Sequence, residues 1–102
     1  AKRVERARLI QTSRYEALGI KIRTNSALPA GLAEQVAALD KEGLDLLRQA
    51  AEQMRFSARA YHRILKVART IADLDDSNAV SRLHLAEAIA YRSASTRMPT
   101  AA

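Results

Sequence analysis

Between Phe56 and Leu74 the residues Tyr61, Ile64, Leu65, Ala68, Ile71 and Ala72 recur at intervals of three and four. Only a helix brings such positions to one side, so the segment reads as an amphipathic helix over about 58–74 whose apolar stripe needs cover. Ser57 is placed to cap it, and Phe56 just before the cap can pack against Tyr61. The remaining composition agrees with a helical fold. Apolar residues make up 48%, mostly Ala and Leu, with four aromatics and three glycines, which favours close helix packing over a β-sandwich.

The chain on either side organises around that element. Residues 2–17 read as a basic helix with a thin stripe of Val4, Ala7, Gln11, Tyr15 and Leu18, stopped by Gly19. So thin a stripe predicts a helix that leans on the rest and is partly loose. Ile20 to Gly31 reads as an extended connection anchored by Leu28. Ile20 and Ile22 alternate with Lys21 and Arg23, but no second strand is available to pair them. A short helix is expected over about 31–39, then one over 41–54 capped by Asp40, with Leu44, Leu47, Ala51 and Met54 on its face. After turn chemistry at Leu74–Asn78, Ser81 caps a last helix over about 82–92, where Val80 can staple to Leu85. Ser93 to Ala102 is small, polar and unpatterned. The expectation is an all-α, small antiparallel helical bundle with a basic N-terminal lead-in helix: 1–28 lead-in helix and connection, 29–92 bundle, 93–102 flexible tail.

Charge narrows the partners. The net charge is +6, and it is segregated: 55–69 carries five bases and no acid, while 34–52 carries five acids against two bases. An anionic partner fits, whether nucleotide, nucleic acid or an acidic protein face. Cysteine is absent, which removes disulfides, thiolate metal sites and thiol nucleophiles, and fits a reducing compartment. No apolar run reaches the roughly 18 residues of a membrane span. The opening Ala-Lys-Arg-Val-Glu-Arg lacks the apolar core of a secretory signal.

Few side chains can carry chemistry. The glycines at 19, 31 and 43 stand alone, so there is no Gly-rich phosphate loop. Asp73, Asp75 and Asp76 cluster at a helix end, where the bland reading is turn formers and solubilisers. His62 and His84 lie on different helices without ligand spacing, so structural or solvated roles are expected and no metal site. Ser57 has no positioned base and reads as a cap. That leaves Arg59, Arg63 and Lys66 at i, i+4 and i+7. Such a face is usually just solvated, but Arg59 sits in the first helical turn, where amides are free and the dipole is positive. A forked guanidinium there can grip two phosphate oxygens. Arg63 and Lys66 are candidates for further phosphate or nucleic-acid contacts.

Ser57-Ala58-Arg59-Ala60-Tyr61, followed by Arg63 through Leu74, resembles the C-terminal region of bacterial magnesium-chelatase-like AAA+ ATPases, the ComM/YifB-like family. The likeness continues through His84-Leu85, Glu87-Ala88 and Tyr91-Arg92. Upstream, Val4, Ala7-Arg8, Gln11, Arg14, Asn25 and Leu28 look like the segment preceding the lid, so about residues 4–92 are covered. The resemblance implies an AAA+ lid in which Arg59 is the sensor-2 arginine, reaching the terminal phosphate of ATP. The ATP and its Mg would be bound mainly by an absent α/β core domain. It further implies a hexameric ring, contacts with the core and neighbouring subunits, DNA processing by the parent, no membrane and a cytoplasmic location. The phosphate loop, Mg-binding acids, sensor 1 and arginine finger are missing here, so no catalytic residue is expected within these 102 residues.

Two other readings compete. One is a stand-alone basic module binding nucleic acid through Lys2, Arg3, Arg6, Arg63 and Lys66. Against it stand few aromatics for base stacking, and helices too far apart for a helix-turn-helix. The other is a protein-interaction bundle whose acidic 34–52 stretch meets a basic partner.

Overall fold

A computed structural model describes residues 2–97. Among them lie five α-helices and no strand: α1 (Lys2–Leu18), α2 (Ala30–Ala37), α3 (Lys41–Met54), α4 (Ala58–Leu74) and α5 (Arg82–Arg97), with a 3-10 turn at Asn25–Ala27. The all-α bundle is as the periodicity requires. Helix α4 is its hub, covered by α1, α2 and α5, while α3 leans on α5. Ile64, Leu65, Ala68 and Ala72 of α4 are buried with Tyr15, Leu28, Leu47, Val80, Leu85 and Ala88.

Local chemistry sets the helix ends. Ser57 Oγ accepts from the Ala60 amide at 3.1 Å, and Asp40 Oδ1 from the Gly43 amide at 2.7 Å. Helix α1 ends at Gly19, whose φ of 70° lets the Ile20 amide reach back to the Tyr15 carbonyl at 3.0 Å. Ala38, Arg55 and Asp76 close α2, α3 and α4 with the same left-handed φ, although none is a glycine. At α5 the cap is reciprocal. Ser81 Oγ faces the His84 amide at 3.4 Å, and His84 Nδ1 accepts from the Ser81 amide at 3.0 Å. A histidine thus fills the place usually taken by Glu or Gln.

Several expectations are corrected. Helix α1 buries Ala7, Gln11 and Tyr15, while Val4 and Leu18 are 42% and 55% exposed. It is held by polar contacts as much as by apolar ones. In α3 the buried positions are Gly43, Leu47 and Ala50, and Met54 faces outward. The stripe turns one residue because Leu46, rather than Leu44, packs on the core. Helix α2 begins at Ala30, just after Pro29, and stops at Ala37. Helix α5 runs to Arg97, past the expected 92, since no Gly or Pro interrupts it before Pro99. The remainder of the expected tail, 98–102, lies outside the described residues. Ile20 and Ile22 pack partly buried against the core without forming a strand.

Candidate functional site

The N-terminal end of α4 projects its cations outward. Ser57 satisfies the amide of Ala60, which leaves the amides of Ala58 and Arg59 without an acceptor inside the helix. Arg59 and Arg63 are exposed, and among the described residues neither guanidinium makes a hydrogen bond or ion pair. Lys66 Nζ reaches the Ser26 carbonyl at 3.4 Å. Phe56, just before the cap, meets Arg92, whose guanidinium carbon lies 4.8 Å from the ring centroid.

Two grooves flank α4 and share Arg59, Arg63 and Val67. The one between α4 and α5, of about 360 Å³, has Ala60, Ile64 and Ala88 on its floor and Tyr91 and Arg92 at its rim. The other, of about 880 Å³, is bordered by Ser26, Ala58, His62, Lys66, Thr70 and Ile71. No carboxylate borders either one. The arrangement suits an anion and offers nothing to a free cation. His62 stands edge-on to Tyr61, with centroids 5.7 Å apart, and its Nδ1 is buried without a partner among the described residues. No group of three His, Asp or Glu side chains able to hold a metal occurs among those residues.

The opposite end of α4 is a polar knot that the sequence reading does not anticipate. Asp73, expected as a solvated turn former, is fully buried. It accepts from Arg14 on both carboxylate oxygens and from Asn25 Nδ2 at 2.9 Å, and it pairs with the Arg69 cation across 3.1 Å. A carboxylate is tolerated at such depth because every contact it makes is a donor, two of them cationic. Asn25 binds the network together. Its amide donates to Gln11 Oε1 at 3.0 Å, its Nδ2 also to Thr70 Oγ1 at 3.0 Å, and its Oδ1 accepts from Tyr15 Oη. Arg69, itself buried, donates onward to the carbonyls of Ser77 at 2.7 Å and Asn78 at 2.9 Å.

Electrostatics follow from this crowding. Burial pushes the Arg14 guanidinium down, but hydrogen bonding to Asp73 and its charge outweigh that and leave it raised. Arg69 is lowered, first by burial and then by the like charge of Arg14, against the pull of Asp73. The other acids fare differently. Asp75 is exposed and held below the usual carboxylate range, mainly by its hydrogen bond with His84 Nε2 at 3.0 Å, and Asp76 occupies the left-handed turn.

The bases of the nucleic-acid reading are exposed or half-buried, and some also bond within the fold. Arg3 and Arg6 both donate to the Leu74 carbonyl, at 3.3 and 3.4 Å, capping the C-terminal end of α4. Of its five bases, only Lys2 and Arg63 are without a hydrogen-bond partner among the described residues.

A family model described as magnesium chelatase, subunit ChlI C-terminal, matches residues 1–92. The chain is 51% identical over 53 residues to the competence protein ComM of Haemophilus influenzae, covering 52% of this chain and 10% of that protein. To the uncharacterized protein YifB of Escherichia coli K12 it is 41% identical over 68 residues, 67% of this chain and 13% of that one. It therefore spans a small part of these relatives. No solved structure matches it.

Proposed function

Because this chain belongs to the family of the magnesium chelatase subunit ChlI C-terminal domain, we propose that it is the helical lid of a larger AAA+ ATPase, with Arg59 as its nucleotide sensor. The observation that carries this reading is the state of Arg59. It is an exposed guanidinium without a partner among the described residues, at a helix start whose first amides are open, bordering two grooves free of carboxylates. ATP supplies the phosphoryl group. On this side of the nucleotide, Arg59 offers a fork of donors to the terminal phosphate, where charge must be neutralised as phosphoryl transfer to water proceeds. Arg63, one turn on, adds a second cation, and Lys66 extends the positive ridge.

With no carboxylate near these groups, Mg would be held by the core domain together with most of the nucleotide. The lid then reports whether a triphosphate is present by moving with it, within a ring that the resemblance puts at six subunits. DNA processing by the parent, which the resemblance implies, is part of the proposal.

The test is turnover. In the full-length ATPase carrying this domain, Arg59→Ala should lower ATP hydrolysis by about 10²-fold or more, as for loss of a preorganised charge at the reacting group. Turnover indifferent to that substitution would remove the sensor assignment.

A further inference from the structure

We infer that Arg14, Asn25 and Asp73 are positioning residues for Arg59, fixing the angle at which α4 presents that arginine to the nucleotide; the inference rests on the sensor reading of Arg59 above. Helix α4 contains neither Gly nor Pro and is continuous from Ala58 to Leu74. Arg59 is its second residue and Asp73 its second-last, about 21 Å apart along the axis. A rod of this kind is aimed from the end that is gripped.

The grip is unequal. At the Asp73 end, Arg14 spans both carboxylate oxygens, Asn25 adds a third donor from the 3-10 turn, and Arg3 and Arg6 reach the Leu74 carbonyl. At the Arg59 end a single exposed hydrogen bond, from Tyr61 Oη to Glu34 at 2.8 Å, ties α4 to α2, and Arg59 and Arg63 make none among the described residues. A tilt of about 5° at the held end would carry the Arg59 end through about 2 Å over that length. Displacements of that size at a reacting group are costly, about 10²-fold for 1 Å. Apolar side chains of similar volume would hold α1 to α4 as firmly. A planar guanidinium docked edge-on to a carboxylate, with Asn25 closing a third side, accepts one orientation only. The network therefore specifies direction, and direction is what a sensor at the far end requires.

The experiment is a double-mutant cycle on the full-length ATPase carrying this domain. Arg14→Lys keeps a cation beside Asp73 but cannot span both oxygens and Asn25. It should lower kcat about tenfold with the KM for ATP nearly unchanged. Combined with Arg59→Ala, it should cause no further loss, because Arg14 acts through Arg59. Wild-type kcat in a folded Arg14→Lys enzyme, or losses that multiply in the double mutant, would overturn the inference. If Arg14→Lys fails to fold, Asn25→Ser repeats the cycle with no buried charge altered. An Arg59→Ala enzyme of normal turnover defeats the sensor reading itself, visibly and without any α1 variant.

Discussion

Arg14 of α1 donates to both carboxylate oxygens of Asp73 in α4, joining side chains 59 positions apart around a carboxylate that solvent does not reach. The pair explains how a helix with so few apolar residues stays on the bundle. Gln11 and Tyr15, on the same face of α1, reach Asn25, so the contact is a polar seam with Tyr15 as its one large buried ring.

Removing the acceptor should be costly. Asp73→Ala leaves Arg14 and Arg69 facing each other in a buried site, and should destabilise by about 3–5 kcal/mol in urea unfolding. Arg14 is 18% exposed, so Arg14→Ala should cost less, about 2 kcal/mol. Amide exchange in the Arg14→Ala protein should lose protection across residues 11–15 before it does so in α4. Equal protection in both proteins would show that the seam does not hold α1.

The left-handed helix ends give a paired test. Ala38 has a φ of 52° and carries a side chain where none is favoured, so Ala38→Gly should stabilise by about 1 kcal/mol. Gly19 has a φ of 70° with open space around its Cα, so Gly19→Ala should cost about the same purely through backbone strain. Melting temperatures moving in the same direction for both would contradict the assignment.

Acid should act on the α4–α5 connection. The Ser81 amide needs the lone pair of His84 Nδ1, so the ring proton sits on Nε2 and is donated to Asp75. Asp75 is lowered in the folded state, so its contribution is present above the ordinary carboxylate range, near pH 4, and is lost as pH falls through its depressed value. Asp75→Asn should flatten that part of the stability profile. An unchanged acid limb in the variant would assign the loss elsewhere.

At the alkaline end one titrating group is Tyr61. Its hydroxyl donates to Glu34 at 2.8 Å, and burial, then that hydrogen bond and charge, push it up to about 12. Because the folded value lies above the ordinary 10, the contribution is whole below pH 10 and disappears as pH rises through about 12. Burial also raises Tyr15, so phenolate absorbance should show two late-titrating tyrosines, and Tyr61→Phe should remove the one near 12. An unchanged late amplitude in that variant would contradict the assignment.

The elements legible in the sequence are those set by neighbours along the chain. Helix α4 has a complete stripe and a capping serine, and its observed bounds are the expected ones. Asp40 and Ser81 announce their helices in the same way. The exposure of Arg59 follows from its place off that stripe. Burial of Asp73 is not legible from spacing, because the donors that admit its charge, Arg14 and Asn25, arrive from 59 and 48 positions away, and Arg69 is buried beside it as its neighbour one turn back. Composition counts both as surface. One signal does point to them. Arg14 and Asn25, quoted for their likeness to a family pattern, converge on Asp73, and Gln11, quoted with them, accepts from the Asn25 backbone amide. The α3 face misleads for a simpler reason. Leu44 and Leu46 compete for one side of a short helix, and only contact with α5 decides between them.

Arg69 gives the short stretch after α4 an unusual status. Exposed connections are ordinarily where a protein accepts extra residues without penalty. Here two successive carbonyls, of Ser77 and Asn78, are fastened to a guanidinium whose other contact is a buried acid. The connection is thereby measured to length. A single added residue would have to release either those carbonyls or the arginine beneath them, so relatives can diverge in the side chains of this turn far more readily than in its span.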